Sequence, residues 1–360
     1  MTVPTEMRAM VTMGHGDLDQ IVLHTDWPVP QPAPGEVLIK VGACGLNNTD
    51  VNTRSGWYSK SVSEATTGGA YDVVADHDPT WGGAPISFPR IQGADVCGVI
   101  VAVGAGVDNA RVGERVITDN WLRDPQDPDN KDKTGYFGSE RDGGFAQFTT
   151  VPAENAIAVN SPLSDAELAT FSCSYSTAEG MLTRAGVTKS DTVLVPGASG
   201  GVGGALVQLA KLRGARVIAL ASEAKHADVA RLGADLVLPR APDNLRAVLS
   251  GEKVTVVADV VGGPYWPTLI DILERGGRYT CSGAIAGPMV NFDLRTFYLR
   301  DLTFTGSTVI PPNVMENLVK YIEQGAIRPA LAATFPLDQL RKAQAAFIRK
   351  EHTGNIVVIP

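Results

Sequence analysis

A glycine cluster lies between an apolar run and a helical pattern near the middle of the chain. Residues 193–204 read V-L-V-P-G-A-S-G-G-V-G-G, and apolar residues recur at helical spacing from Ala205. A strand, a tight glycine turn and a helix N-terminus in this order direct backbone N–H groups and the helix dipole at one point, which suits a pyrophosphate. A second apolar run, residues 215–220, follows the helix, as such a site requires. The stretch predicts a dinucleotide-binding turn, and the alternative is a structural glycine turn.

Strand and helix patterns alternate from Ser164 onwards, where S-D-A-E matches a helix start. This alternation, with Val- and Ala-rich strands, predicts a doubly wound parallel sheet covered on both faces. The predicted strands are 192–195, 216–220, 236–238, 254–261, 277–282 and 302–305, and the predicted helices are 203–213, 223–232, 244–250 and 266–274.

The first 160 residues lack this alternation of strand and helix patterns, and they predict an irregular, mainly β domain. Strand patterns at 7–12, 36–43, 91–104, 112–117 and 143–152 are separated by polar loops at 59–90 and 120–140. After Pro312, two helix patterns (314–324 and 337–349) precede a last strand, 355–359, which we expect to return to the first domain. A chain of 360 residues is long enough for two domains.

Composition and charge exclude several classes of protein. The net charge of −8 and the lack of a long basic run disfavour nucleic acid and anionic membranes as partners. No apolar stretch is long enough to span a bilayer. The four cysteines are far apart and form no C-x-x-C pair, so we expect neither a disulfide framework nor a zinc knuckle, and we expect a cytoplasmic protein.

Several short motifs occur in a specific order along nearly the whole chain. They are P-x-x-G-E-V-L-I-K-V (32–41), C-G-L-N-N-T-D (44–50), G-A-D-V-C-G-V-I (93–100), V-G-E-R-V (112–116), G-G-F-A-Q-F (143–148), D-V-V-G-G (259–263) and H-T-G-N-I-V-V (352–358). This ordered set resembles the medium-chain dehydrogenase/reductase superfamily. The resemblance implies an α/β protein with a GroES-like β-barrel-type catalytic domain (1–162 and 309–360), a Rossmann domain (163–308), and an active site in the cleft between them.

The resemblance also implies that this chain lacks zinc. Zinc alcohol dehydrogenases carry cysteine where this chain has Asn47, and a G-H-E motif at residues 93–95, which here read G-A-D. The third ligand position falls on Cys173, which we interpret as a small buried apolar residue. Since a catalytic zinc needs about three protein ligands, we expect no metal. An unusual ligand set, drawn from His77, Cys44, Asp50 and Asp95, is the alternative.

Without a metal, hydride transfer favours acceptors that are already activated. Ala198 in place of the first fingerprint glycine, L-N-x-x-D and R-S-G-x-Y are similar to the quinone oxidoreductases, and residues 135–148 to the enoyl-thioester reductases. We therefore predict reduction of a quinone, an enone or another activated alkene. The alternatives are an enoyl-thioester reductase, an alcohol or aldehyde dehydrogenase, and a cofactor-binding protein with little catalysis.

The end of the second strand of the parallel sheet indicates the cofactor. The position where NAD-binding proteins carry an acid falls on Ala221, followed by Ser222 and Lys225. A hydroxyl and an ammonium group suit a 2′-phosphate, so we expect NADPH, although Glu223 could bind the ribose of NADH.

The resemblance assigns further residues to the cofactor, around 260–262, 282–285 and 306–308, and at Thr177. The predicted cofactor-binding residues are Ala198, Ser199, Gly200, Gly201, Val202, Ser222, Lys225, Val261, Ser282, Gly283, Ala284, Ile285 and Asn355.

Catalytic residues are predicted in the first domain. Tyr58 is the last residue of the R-S-G-W-Y stretch and is the candidate proton donor, with aromatic packing as the alternative. Asn47 replaces a zinc ligand and is expected to face the cleft, and Thr49 matches the proton-relaying hydroxyl of the zinc enzymes. We expect substrate selectivity in the loop 59–90 and near Trp57, Trp81 and Trp121.

The resemblance also implies a homodimer. In relatives, the last strand of the parallel sheet, here residues 301–305, pairs with its copy across a two-fold axis, which protects an exposed sheet edge.

Overall fold

A computed structural model describes residues 2–71 and 85–360. His77 and Trp81, both in the predicted loop 59–90, lie outside the described residues. Within the described ranges, no helix is both long enough and apolar enough to cross a membrane. All four cysteines are unpaired thiols.

Strands and helices are unevenly distributed along the chain. The strands are β1 (Glu6–Thr12), β2 (Ile21–Pro28), β3 (Glu36–Gly45), β4 (Arg90–Ile91), β5 (Asp95–Val103), β6 (Arg115–Thr118), β7 (Trp121–Leu122), β8 (Gly135–Tyr136), β9 (Phe148–Pro152), β10 (Ala156–Ala158), β11 (Thr192–Pro196), β12 (Arg216–Ala221), β13 (Leu236–Pro239), β14 (Val254–Asp259), β15 (Leu273–Cys281), β16 (Thr303–Gly306), β17 (Leu331–Pro336) and β18 (Asn355–Ile359). The helices are α1 (Asn48–Ser55), α2 (Asp165–Leu168), α3 (Ser172–Arg184), α4 (Gly201–Leu212), α5 (His226–Arg231), α6 (Leu245–Leu249), α7 (Trp266–Asp271), α8 (Leu294–Tyr298), α9 (Val314–Glu323) and α10 (Leu340–Arg349).

The first domain is built around β3, whose residues are mostly buried and which contacts β5, β9, β18 and α2. β3 pairs antiparallel with β5, β9 and β18, and the sheet has the order β10-β6-β5-β3-β18-β17. Val358 of β18 lies opposite Cys44 of β3. The C-terminal strand therefore returns to the sheet of the first domain, as the sequence predicts.

The second sheet is parallel throughout and has the order β13-β12-β11-β14-β15-β16. β11 lies in the middle, and its three central residues, Val193, Leu194 and Val195, are fully buried. The strand order reverses between β11 and β14, and ligands of such sheets bind at the carboxyl ends of the strands at that point. The predicted doubly wound sheet is confirmed.

The predicted boundaries are wrong in several places. The helix predicted at 266–274 ends at Asp271, because β15 begins at Leu273 and extends through the two glycines after Arg275. α1 and α3 are absent from the sequence prediction. Both helices bury polar residues as well as apolar ones, so neither shows the one-sided apolar pattern by which a helix is recognised. The helix start at Ser164 is confirmed by a capping box with Glu167.

Candidate active site

Two connected cavities open at the carboxyl end of the parallel sheet, where it meets the first domain. The inner cavity has a volume of about 480 Å³ and the outer cavity about 500 Å³. Both are lined by Gly197, Gly200 and Gly201 of the glycine turn, and by Val261 and Ile285. The turn therefore lies where one elongated ligand could extend into both cavities.

The glycine turn is shaped by close backbone approaches. Gly197 has a φ of +63°, and α4 begins at Gly201, so the first N–H groups of this helix have no partner within it. A Cβ on Gly203 would lie 2.2 Å from the carbonyl oxygen of Gly197. A Cβ on Gly201 would lie 2.3 Å from Asn355 Oδ1. The backbone contact requires glycine at position 203, and the Asn355 side chain leaves no room for a larger residue at position 201 unless it moves. The N-terminus of α4 lines the inner cavity, which suits a phosphate.

The other residues predicted in this turn have different surroundings. Ser199 lines the outer cavity and Val202 the inner one. Ala198 is fully buried and its N–H donates to the carbonyl oxygen of Leu220 at 3.2 Å, so it lines neither cavity. Ala198 therefore packs beneath the turn. The carbonyl oxygen of Ser199 accepts the N–H of Gly354 at 2.8 Å, which ties the turn to the C-terminal segment.

The outer cavity is cationic. Ser222 and Lys225, which the sequence analysis assigns to the 2′-phosphate, line it, and Arg240, Lys350 and His352 line it as well. Lys225 Nζ donates to the carbonyl oxygens of Lys350 and His352, both at 2.6 Å. Glu223 is not among the residues that line this cavity. Sequence reasoning missed Lys350 because it lies on a C-terminal segment distant in the chain.

The ammonium group of Lys350 reaches into the cleft, where Nζ donates to Asn48 Oδ1 at 2.8 Å and lies 3.4 Å from the centre of the Phe347 ring. Burial, and secondly the charge of Lys225, lower the pKa of Lys350 to about 7. Burial and the same two lysines lower the pKa of His352 to about 4, so this imidazole is neutral at pH 7.

One wall of the inner cavity is formed by loops that follow strands of the parallel sheet. Of the residues predicted there, it includes Val260, Val261, Ser282, Gly283, Ala284, Ile285, Gly306, Ser307 and Thr308, together with Thr177 and Asn355, whereas Gly262 lines the outer cavity. The buried carboxylate of Asp259 shapes this wall, because it accepts the N–H groups of Val261 at 2.7 Å and Gly262 at 3.1 Å. Asn355 is held by Ser174, whose Oγ donates to Asn355 Oδ1 at 3.1 Å.

The opposite wall brings together the three predicted catalytic residues, Asn47, Thr49 and Tyr58. Asn47 is the N-cap of α1, and Thr49 Oγ1 is buried with no hydrogen-bond partner among the described residues. The hydroxyl of Tyr58 contacts the Asn52 side chain, and burial raises the pKa of Tyr58 above its ordinary value.

The same wall also contains residues that the sequence analysis did not assign to chemistry. They are Asn52, Tyr136 and Cys173, and the two tryptophans Trp57 and Trp121, which the sequence analysis associated with selectivity. Tyr136 packs edge-on against Trp121, with ring centres 4.9 Å apart. No charged side chain in the described part of the chain lines the inner cavity.

Two buried carboxyl groups lie behind this wall. Asp50 accepts the N–H of Asn47 at 2.7 Å and that of Gly93 at 3.2 Å, and burial raises its pKa to about 7. Asp95 accepts Asn120 Nδ2 at 2.8 Å and the N–H of Cys173 at 2.9 Å. Burial raises the pKa of Asp95 to about 6, against the effect of these donors. Both carboxyl groups are therefore engaged in holding the wall in place.

A two-domain fold with a glycine turn at the switch point of a parallel sheet is typical of nucleotide-dependent oxidoreductases. Residues 33–161 match the family model described as the alcohol dehydrogenase GroES-like domain, and residues 201–324 match the one described as zinc-binding dehydrogenase. A crystal structure of a candidate alcohol dehydrogenase from Sinorhizobium meliloti 1021 is 46% identical, with a TM-score of 0.91 over 99% of this chain and 98% of that one. The chain belongs to the medium-chain dehydrogenase/reductase superfamily.

Curated relatives are more distant. The acryloyl-coenzyme A reductase of Metallosphaera sedula is 28% identical over 98% of this chain and 99% of its own length. The chloroplastic NADPH-dependent alkenal/one oxidoreductase of Arabidopsis thaliana is 28% identical over 100% of this chain and 81% of its own length. An NAD-dependent alcohol dehydrogenase of Sulfolobus acidocaldarius is 24% identical over 88% of this chain and 90% of its own length.

Proposed function

We propose that this chain is a zinc-independent, NADPH-dependent oxidoreductase that transfers hydride to a quinone, an enone or another activated alkene. The observation that carries the proposal is the inner cavity, where the wall assigned to the nicotinamide faces amide, hydroxyl and aromatic groups and no charged side chain of the described residues. Two relatives are named for acryloyl thioesters and for alkenals and alkenones, which are activated alkenes.

The donor set does not fit a catalytic zinc. Of the three positions where the family's zinc enzymes carry ligands, this chain has Asn47, Ala94 and Cys173, of which only the last is a zinc-binding type. The neighbouring Asp95 carboxylate already accepts Asn120 and the backbone of Cys173. Within residues 2–71 and 85–360, no group of three His, Cys, Asp or Glu side chains could hold a metal ion.

The residues present fit NADPH. In this proposal the pyrophosphate lies on the turn formed by Ser199, Gly200, Gly201 and Val202, above Ala198. The 2′-phosphate lies beside Ser222 and Lys225, where Arg240 and Lys350 add positive charge. The nicotinamide lies against Val261, Ser282, Gly283, Ala284, Ile285 and Asn355. When bound, reduced nicotinamide supplies the hydride.

The wall opposite the nicotinamide would bind and orient the acceptor. We assign Asn47 and Thr49 as hydrogen-bonding groups and Tyr58 as a proton source for the reduced product, since all three line the inner cavity. Most of the rate enhancement would come from positioning the acceptor against the nicotinamide.

The affinity for NADPH is expected to fall as pH rises from 6.5 to 8.5. Lys350 has a pKa of about 7, so its ammonium is present below this value and is lost above it. The dissociation constant of NADPH should therefore increase about threefold or more, while that of NADH, which has no 2′-phosphate, changes less. Fluorescence titration measures both constants. The Lys350→Met variant should bind NADPH weakly with little dependence on pH, and an unchanged pH dependence in this variant would contradict the assignment.

A panel of acceptors tests the proposed function. Purified protein should oxidise NADPH with quinones, enones or enoyl thioesters, and should show little oxidation of simple alcohols with NAD⁺ or NADP⁺. Faster alcohol oxidation, dependent on added zinc, would favour the alcohol dehydrogenase alternative. Tight NADPH binding without turnover of any acceptor would favour a cofactor-binding protein.

We further propose a cytoplasmic homodimer with domains at 1–162 with 309–360 and at 163–308. β16 lies at the edge of the parallel sheet. Beside it, Leu294 and Tyr298 of α8 and the adjacent Leu299 are 67%, 60% and 56% exposed. Such an edge, with large apolar side chains next to it, suits pairing with a second copy.

The double variant Leu294→Asp, Tyr298→Asp is therefore expected to be a monomer, because charges would enter an apolar interface. Analytical ultracentrifugation measures the mass. The Val112→Asp variant, at an exposed apolar position in the first domain, is the control and should remain a dimer. A monomeric wild type, or a dimeric double variant, would contradict the proposed interface.

A further inference from the structure

A cluster of five buried side chains borders the inner cavity, on the wall that also contains Trp57 and Trp121. We name it the Asp95 cluster, and its members are Asn47, Asp95, Asn120, Tyr136 and Cys173. Three of them, Asn47, Tyr136 and Cys173, also line the cavity. In a largely apolar cavity, a few convergent polar groups of this kind fix the orientation of a ligand.

The hydrogen bonds of the cluster have a defined direction. An ionised carboxylate only accepts hydrogen bonds, so the side-chain atom of Asn120 that contacts Asp95 Oδ1 is identified as the amide nitrogen. This nitrogen donates to Asp95 Oδ1 at 2.8 Å and to the hydroxyl oxygen of Tyr136 at 3.3 Å. The Tyr136 oxygen is therefore an acceptor towards Asn120, and its hydrogen is directed away from Asn120.

The hydrogen of Tyr136 points towards the cavity side of the cluster. The hydroxyl contacts the side chain of Cys173, which lines the cavity. A thiol is a weak hydrogen-bond acceptor, so a ligand oxygen at this place would be a better one. The ring is held by its edge-on contact with Trp121, and Tyr136 is only 4% exposed, so the donor is fixed in place before a ligand binds.

We propose that Tyr136 is a catalytic residue whose hydroxyl donates a hydrogen bond to the carbonyl oxygen of the acceptor and stabilises the enolate formed during reduction. The inference rests on the proposed function. Asn120 and Asp95 are positioning residues, because they act through the orientation of the Tyr136 hydroxyl.

The reaction balances without a proton from Tyr136. Hydride from a dihydronicotinamide forms a C–H bond at the β-carbon, and the π pair of the C=C bond moves so that negative charge resides on the carbonyl oxygen. A proton then adds at the α-carbon, supplied by Tyr58 or by water. The acceptor gains two electrons and two hydrogens, and the dihydronicotinamide is oxidised. The hydroxyl of Tyr136 is needed most when the oxygen carries charge, so it would lower the barrier to the hydride step.

The Tyr136→Phe variant tests this proposal. Removing one donor from an oxyanion site typically lowers kcat about 100-fold, so we expect that loss with an enone acceptor. The KM for the acceptor and the dissociation constant of NADPH should stay within about threefold of wild type, since the ring and its packing remain. The matched control is Tyr175→Phe. Tyr175 is equally buried, donates to the carbonyl oxygen of Arg328 at 2.6 Å and lines neither cavity, so kcat should be unchanged.

A second variant, Asn120→Ala, keeps the Tyr136 hydroxyl and removes the group that directs it. We expect kcat to fall about tenfold, less than in Tyr136→Phe, with unchanged NADPH affinity. If Tyr136→Phe keeps more than half of the wild-type kcat, or if kcat falls only in step with NADPH affinity, the role of Tyr136 is wrong while the proposed function stands. If wild-type protein binds NADPH and reduces no acceptor, the proposed function fails and this inference fails with it.

Discussion

The Lys225→Glu variant is expected to bind NADPH at least tenfold more weakly than the wild type and to bind NADH with nearly unchanged affinity. Lys225 lines the outer cavity together with Ser222, Arg240 and Lys350. A carboxylate at this position would repel a 2′-phosphate, and each tenfold change corresponds to about 1.4 kcal/mol. Titration of cofactor fluorescence with both reduced cofactors gives the two constants.

A structural effect of the substitution can be separated from an electrostatic one. Lys225 also donates to the carbonyl oxygens of Lys350 and His352, so its loss could loosen the C-terminal segment. Such loosening would weaken both cofactors together. Lys253→Glu makes the same charge change at an exposed position in the Rossmann domain and should leave both affinities unchanged. Equal weakening of NADPH and NADH in the Lys225 variant would contradict the assignment of the 2′-phosphate site.

The Gly203→Ala variant is expected to lose most of its cofactor affinity and to be less stable than the wild type by about 1–3 kcal/mol. The added Cβ would lie 2.2 Å from the carbonyl oxygen of Gly197 and 2.8 Å from the Cα of Ala198. Both are backbone atoms of the glycine turn, so α4 must move away from β11 and the phosphate-binding N–H groups move with it. Denaturant unfolding and NADPH titration measure the two effects.

The next glycine provides the control. A Cβ on Gly204 would lie 3.0 Å from Leu232 Cδ1, the end of a flexible side chain that can rotate. Gly204→Ala should therefore keep near-normal NADPH affinity, and alanine favours the helix at this position. If the two variants bind NADPH equally well, the close packing of α4 against the turn does not shape the cofactor site.

The sequence predicts those strands and helices whose characteristic pattern lies within one continuous segment of the chain. The strand, glycine turn and helix of residues 193–212 are continuous in the chain, so the central part of the parallel sheet and the position of the turn can both be predicted directly. α1 and α3 have no such pattern, because their polar residues are buried by tertiary contacts, for example Asp50, which accepts the N–H of Gly93.

The residues of the site divide in the same way, into those with a local sequence signal and those without one. The predicted cofactor-binding residues, apart from Ala198, line the cavities, because all of these except Asn355 follow strands at the same edge of one sheet. Lys350 and Tyr136 were missed, because folding brings them to the cavities from the segment after α10 and from the short strand β8. Their surroundings depend on contacts with residues distant in the chain, Asn48 for Lys350 and Asn120 for Tyr136.

The central claim is that the protein reduces an activated alkene without zinc. It is tested most directly by identifying the product formed by protein whose zinc content has been measured. Protein treated with a chelator, and shown by elemental analysis to contain no stoichiometric zinc, is incubated with NADPH and an enone, and the product is identified by mass spectrometry. The account predicts the saturated ketone, two mass units heavier than the enone, in equal amount to the NADPH consumed. An allylic alcohol as the product, or activity that appears only when zinc is added, would contradict it.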